Sequence, residues 1–246
     1  MLLGRAGVIG SAVWAPTDIE GCFLWFAANL ETGYSDNDGV SIMTDQTGIG
    51  NSFLQATGAK QPVYKTNILS TYPIFRFDGS NHSIGIGTAT TLHAAADFTF
   101  FFVTANQTAG AWDTLFDCYN GRVFLLAGNG SAKIAYYVTA NGYQGGSVAG
   151  VTNPSITTFL LSSAGGNTAA IYVNGSAINS GLAYTQTALA GSGATVGIVL
   201  GAEYNFASSF FQGDIAEVII YDTALGATDR GTVESYLSSK YGISLV

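Results

Sequence analysis

Two pairs of carboxylates in this chain have types and spacing worth testing for chemistry. A retaining glycosidase needs two carboxyl groups about 5 Å apart. On a strand, acids at i and i+2 or i+4 share a face. Asp113 and Asp117 meet that spacing, but Asp117 sits between Phe116 and Cys118 with no other acid nearby. Asp214 and Glu217 are three apart, so a regular strand would point them to opposite faces. Glu217 lies in a strongly apolar run, where a buried carboxylate must be paired or hydrogen-bonded. That predicts a structural acceptor for backbone or a neighbouring hydroxyl. No catalytic residue is expected, and the chain reads as a non-enzyme.

Other reaction centres are poorly supported. His82 and His93 are the only histidines, without a Cys or second His at metal-ligand spacing, and both read as solvated loop residues. No Gly-x-Ser-x-Gly elbow is present. Gly142 to Gly150 is glycine-rich but has no Lys and no following helix, so it reads as a hairpin loop, not a phosphate cradle. Calcium is the one ion the loops leave open. Asp36-x-Asp38-Gly39 resembles a calcium loop superficially, but its Gly comes early and position 47 is Thr, so it reads as a turn. No cofactor is expected. Cys22 and Cys118 could form one bridge by count, yet both lie among apolar residues and read as reduced, buried thiols.

Aromatic residues are the remaining resource: 13 Tyr, 15 Phe and 3 Trp. Trp112, Tyr143 and Tyr204 with Asn205 fall at predicted loop tips. A sugar ring offers an apolar face and a rim of hydroxyls, which a flat aromatic beside an amide or carboxylate suits. These four residues are the candidate glycan-binding set. The competing reading packs the rings under their own loops or into a subunit interface.

The elements that must position them are strands. Only 10% of residues are charged and 32 are Gly, in 246. Short apolar and aromatic runs alternate with Gly and Asn turns, which argues for a sandwich or barrel. Strands are expected near 22–30, 73–77, 82–86, 98–104, 113–118, 122–127, 132–139, 156–163, 168–173, 196–202 and 213–221. Residues 98–104 are dense in Phe without alternation, so both faces should be covered. A helix follows residue 226, with Val233, Tyr236, Leu237 and Tyr241 on one face. Gly226 is its predicted N-cap and Gly242 its left-handed C-terminal residue.

Net charge is −8 with no Lys/Arg cluster, which excludes a nucleic-acid footprint and disfavours an anionic membrane. No apolar run approaches a membrane span. Residues 1–20 read as an N-terminal arm and 21–246 as one domain. Arg5 and three glycines interrupt the apolar stretch, so it reads as an arm instead of a signal peptide. Leu2, Leu3, Val8, Ile9 and Trp14 would be its assembly contacts, covered by other copies or a larger particle. The domain beyond Ile19 is expected to fold without it.

Several motifs resemble the concanavalin A-like, laminin G-like jelly-roll family. Phe211-Gln212-Gly213-Asp214-Ile215-Ala216-Glu217 and the helix after it resemble the family's closing segment. Pro73-Ile74-Phe75-Arg76-Phe77-Asp78-Gly79 is similar to its "V-x-F-D-G" strand end. Ala170-Ile171-Tyr172-Val173-Asn174-Gly175 is similar to its "L-Y-V-N-G" hairpin, and Leu24-Trp25-Phe26-Ala27-Ala28 to its "L-W-L-D-A" start. Residues 45–51 look like a degraded "D-x-S-G-N-G" stretch, and Gln61-Pro62-Val63-Tyr64 like its "Q-P-x-Y" connection. The resemblance runs over residues 19–243. It implies an all-β, antiparallel β-sandwich closed by one C-terminal helix, with Glu217 at a recurrent Glu position. The "E-x-D-x-x-E" strand of the family's glycosidase branch does not occur here. With its arm, the chain looks like domains of bacteriophage structural proteins. That implies a homo-oligomeric virion surface component, a capsid decoration or fibre-type protein with other virion proteins and surface glycans as partners. A secreted bacterial adhesion module and a divergent glycoside hydrolase or lyase are the alternatives.

Overall fold

The computed structural model describes residues 14–86, 91–93, 97–107, 113–118, 124–128, 133–138, 142–147, 154–163, 168–183, 189–190, 198–203 and 206–246. In chain order the strands begin with β1 (Cys22–Ala27), β2 (Ile42–Met43), β3 (Phe53–Leu54), β4 (Val63–Leu69), β5 (Tyr72–Asp78) and β6 (Ile84–Ile86). They continue with β7 (Thr91–His93), β8 (Phe98–Ala105), β9 (Asp113–Cys118), β10 (Phe124–Gly128), β11 (Lys133–Val138) and β12 (Gly142–Ser147). The last are β13 (Ser155–Ser162), β14 (Thr168–Val173), β15 (Ser176–Ala183), β16 (Leu189–Ala190), β17 (Ile198–Leu200) and β18 (Gln212–Tyr221), before helix α1 (Ala227–Tyr241).

These strands form an antiparallel sandwich. One sheet runs β15-β14-β13-β8-β18-β5-β4, with β1 also paired to β18; the other runs β12-β11-β10-β9-β17-β6-β3-β2. A small third ladder joins β16 to β7. β1 pairs with the C-terminal half of β18 and β5 with its N-terminal half. The first and last thirds of the chain are thereby joined across one strand.

The residue pattern explains the layers. In β8 every residue is buried. Phe98, Phe100 and Phe102 enter the core between the sheets, while Phe101 and Val103 join a second cluster on the outer face. Helix α1 covers that second cluster with Val233, Leu237 and Tyr241; Tyr236 is only half-buried. Gly226 precedes the helix and Gly242 closes it at φ 66°, its N–H bonded to the Ser238 carbonyl. A β-carbon at Gly242 would also meet the Ser70 hydroxyl at 2.9 Å.

Several elements differ from the sequence pattern. The first strand stops at Ala27 and becomes a single 3-10 turn, Ala28–Leu30. Gly142–Ser147 is a strand, not a loop, although all its residues but Tyr143 are weak strand formers. Its in-register ladder with β11, from Lys133↔Ser147 to Val138↔Gly142, supplies what local propensity lacks. β4 and β15 are also additions. β15 follows from the Asn174-Gly175 turn, whose two positive φ angles, 49° and 81°, fit a tight hairpin. Cys22 is half-buried, not buried, because it starts β1 at the edge of the outer cluster; Cys118 is buried, and both are free thiols. Burial, with the Asp45 charge next in size, pushes the Cys22 thiol up to about 12.

The end of the segment read as an arm is docked. Trp14 packs on Tyr236 at 5.0 Å between ring centroids, and the buried Tyr221 hydroxyl donates to the Pro16 carbonyl at 2.9 Å. Removing residues 1–18 would therefore strip a buried hydroxyl of its acceptor, which ties this part of the arm to the sandwich. Leu2, Leu3, Val8 and Ile9 lie outside the described residues.

Candidate functional site

Strand β18 bulges between Ile215 and Glu217 where it pairs with β8. Ile215 and Val218 enter the inner core, whereas Ala216 joins the outer cluster and Glu217 bonds to outer-face residues. The extra residue turns Asp214 and Glu217 to the same outer face, correcting the opposite faces expected of a regular strand.

Glu217 lies in a closed cage. Its Oε1 accepts from Trp25 Nε1 at 2.7 Å and the Tyr236 hydroxyl at 3.0 Å. Its Oε2 accepts from Lys240 Nζ at 2.7 Å and the Tyr241 hydroxyl at 2.8 Å. The carboxylate is 1% exposed and fastens α1 to β1 and β18. This is the structural acceptor read from the sequence.

Asp214 lies near the N-terminal end of β18, beside β5. Arg76, on β5, grips it through Nε at 2.7 Å and Nη2 at 2.9 Å, and Asn106 Nδ2 donates to it at 2.6 Å. The Arg76 side chain is 39% exposed, while Asp214 is 1% exposed. Hydrogen bonding to Asp214 raises the guanidinium above its ordinary value. The alternation of β5 causes this placement: Phe75 and Phe77 point into the core, so Arg76 must point out.

Around this pair lies a cleft of about 510 Å³, lined among others by Asn37, Lys65, Asp78, His82 and Gln212. Lys65 Nζ donates to Asp36 at 3.1 Å and to Asn37 Oδ1 at 2.7 Å. Asp36 also accepts from the Thr66 N–H, which holds its carboxyl below the ordinary range, helped by Lys65. Asp78 Oδ1 gathers the N–H groups of Ser80, Asn81 and His82. Burial pushes Asp78 up, but those three bonds together outweigh it and hold the carboxyl below its ordinary value. His82 is half-buried, contrary to its reading as a solvated residue. Its Nδ1 lies 3.3 Å from the Arg76 carbonyl and its Nε2 3.6 Å from Asp78.

The cleft thus presents cations, amides and carboxylates from five parts of the chain, its charges compensated within the protein. Among the described residues Arg76 Nη1 and one N–H of Lys65 have no partner, and the Gln212 side chain is exposed. Such a surface meets hydroxyl groups from both donor and acceptor sides.

The candidate glycan-binding residues read from the sequence are not among those that line this cleft in the described structure. Trp112, Tyr204 and Asn205 are outside the described residues; Tyr143 is in β12, but its side chain is outside them. Asp117 is buried, and a register shift in β9 between Thr114 and Phe116 breaks the alternation on which a face shared with Asp113 depended. Asp38 serves its own turn, accepting from the Ser35 N–H at 2.6 Å, and Asp36 ties that turn to β4 through Lys65 and Thr66. The Asp45 carboxylate organises the 45–51 loop, accepting from Trp25, Thr47, Gly50 and Asn51. Among the described residues no group of three or more His, Cys, Asp or Glu is placed to hold a metal ion. A signal for Arg76 was present: it is one of only 8 basic residues, set between two core phenylalanines.

A family model described as the concanavalin A-like lectin/glucanases superfamily matches residues 78–229. No curated protein matches the sequence. Among solved structures, domain 4 of AbnA, an extracellular arabinanase from Geobacillus stearothermophilus in complex with arabinotriose, superposes with a TM-score of 0.56 at 15% identity. The match covers 81% of this chain and 100% of that one. The botulinum neurotoxin serotype D ligand binding domain, in complex with N-acetylneuraminic acid, gives 0.54 at 14%, over 88% and 51%. A mutant of NanB sialidase from Streptococcus pneumoniae gives 0.52 at 16%, over 65% of this chain. This chain spans only 27% of the sialidase. At these identities the likenesses show a shared fold.

Proposed function

Because this chain belongs to the concanavalin A-like lectin/glucanases superfamily, we propose that it is a non-enzymatic carbohydrate-binding module. The observation that carries this reading is the outer-edge cleft, where Arg76, Asp214, Asn106, Lys65 and Gln212 converge around about 510 Å³. A saccharide needs many donors and acceptors held in fixed directions, and the Arg76–Asp214–Asn106 bonds supply that rigidity. Structural neighbours caught with arabinotriose and with N-acetylneuraminic acid support the ligand class.

The non-enzymatic part rests on the carboxylates. A general acid or nucleophile must reach the scissile bond. Both oxygens of Asp214 are engaged by Arg76 and Asn106, and Glu217 is enclosed beneath the helix. The setting we infer is a virion surface, as a decoration or fibre-type component in several copies. Its support is the likeness of the opening and closing segments to bacteriophage structural domains and a surface poor in charge. Capsid and tail genes beside its own are expected; secretion or polysaccharide genes there would favour a secreted adhesion module.

Calorimetric titration against a glycan array's best hits tests the function. Replacing Arg76 by Lys removes the fork and Nη1, and should weaken binding about tenfold or more. Unchanged affinity in Arg76→Lys would remove the cleft from the proposal. Release of reducing ends from any bound glycan would overturn the non-enzymatic reading.

A further inference from the structure

A second cleft, of about 520 Å³, opens on the outer face where β1, β5, α1 and the start of the described chain meet. Its lining includes Trp14, Trp25, Tyr72, Tyr236, Asn29 and Lys240. The rings are fixed from behind. Trp25, the floor, donates to Glu217 at 2.7 Å; Trp14 packs on Tyr236 at 5.0 Å; Tyr72 meets Tyr241 edge-on at 5.5 Å. Lys240 Nζ lies 5.2–5.8 Å from the centroids of Tyr72, Tyr236 and Tyr241 and donates to Glu217 and the Tyr236 hydroxyl. One of its three N–H groups remains for a ligand.

Asn29 completes the cleft. Its Oδ1 is shut off from solvent and has no hydrogen-bond partner among the described residues. A buried polar atom left unpaired costs free energy, so a native structure that keeps one needs a reason. Because no hydrogen bond among the described residues fixes this amide, a half-turn about its last torsion presents either an acceptor or a donor to the cleft without breaking one. An adaptable amide, an ammonium donor and three half-buried aromatic rings together match a flat, hydroxyl-rimmed ring better than an aliphatic chain or an anion. The Lys240 charge is already met by Glu217, so no ionic partner is called for.

We propose that this aromatic cleft is a second ligand site that takes a pyranose ring stacked on its walls, with Asn29 and Lys240 bonding the ring's hydroxyls. The inference rests on reading the chain as a carbohydrate-binding module, but it concerns a different place. It shares no lining residue with the Arg76 cleft, which contains no tryptophan.

That difference supplies the test. The chain has 3 Trp, so in a Trp112→Phe background Trp14 and Trp25 are the only indole reporters. Methyl β-glycosides of glucose, galactose and N-acetylglucosamine would be titrated by tryptophan emission and, in parallel, by calorimetry. At least one glycoside is expected to shift the emission saturably. Asn29→Ala should weaken that response about fivefold, the worth of one net hydrogen bond, with a melting temperature that does not fall, because among the described residues its Oδ1 has no partner to lose. Tyr72→Ala should weaken it about tenfold through lost stacking. If calorimetry shows binding while emission stays flat, the ligand sits elsewhere: the aromatic site is wrong and the carbohydrate function stands. An emission shift indifferent to both substitutions also overturns it. If no glycoside or array glycan binds by either method, both readings fall.

Discussion

Asp214 and Glu217 stand three residues apart on one strand and face the same side of one sheet, yet they live in opposite surroundings. Glu217 is sealed beneath α1 by four donors from Trp25, Tyr236, Lys240 and Tyr241. Asp214 is equally buried, but its principal partner, Arg76, is more than a third exposed and forms the wall of an open cleft. Both carboxylates satisfy the rule that buried charge must be paired. What differs is whether the partner also reaches solvent. A closed cage fastens elements together; an open one holds a cation at a surface where a ligand can meet it.

Removing the sealed carboxylate should have the largest effect. Glu217→Ala leaves the Lys240 ammonium, 10% exposed, without its counter-charge, and should destabilise the fold by about 3–5 kcal/mol. Denaturant unfolding checks this; a loss below about 1 kcal/mol would break the contrast, because the cage would not be holding the helix. The open site should respond less. Exposure of Arg76 screens its pair, so Asp214→Asn should cost only about 1 kcal/mol of stability while binding in the cleft falls more steeply. If stability and affinity instead fall together, Asp214 is a fold residue first, and the two sites differ in degree only.

The smallest effect is a contrast in pH dependence. Asp78, at the open cleft, is held below its ordinary pKa by backbone N–H bonds despite burial. Its contribution is present above the unfolded-state value and is lost as pH falls through the lowered native one. Glu234, under the helix, is shifted the other way. Burial raises it, against opposing bonds from Thr158 and Arg230. Its contribution is fully present below the unfolded-state value and is lost as pH rises through the raised native one. Asp78→Asn should therefore flatten the acid limb of a stability–pH curve, and Glu234→Gln should remove a shallow loss on its higher-pH side. Matching slopes in the two variants would blur the distinction between open and sealed surroundings.

Much of the architecture was legible from residue pattern. The Phe-rich run 98–104 announced a strand covered on both faces, and β8 is one. The spacing of Val233, Leu237 and Tyr241 announced a docked helix, and Gly242 its left-handed end. Glu217 was legible too, since a lone acid in an apolar strand has few alternatives to a structural bond. Residues 142–147 were not, because three Gly, a Gln and a Ser around the single strand former Tyr143 favour extension only weakly until β11 pairs with them. Nor was the site. Spacing counts faces correctly only while the strand is regular, and the bulge after Ile215 turns Glu217 to the side of Asp214.

The sequence by itself determined the layers: alternation of apolar and polar residues, and the glycines and asparagines where the chain reverses, specify which faces are buried through local sterics and the hydrophobic effect. Tertiary structure alone decided the clefts. Arg76 and Asp214 are separated by most of the chain, as are Trp25 and Tyr236, and become neighbours only because β18 pairs with β5 at one end and β1 at the other. Local propensity acts over a few residues and carries no information about such partners. Long-range register does, and it is set by the whole core finding one packing.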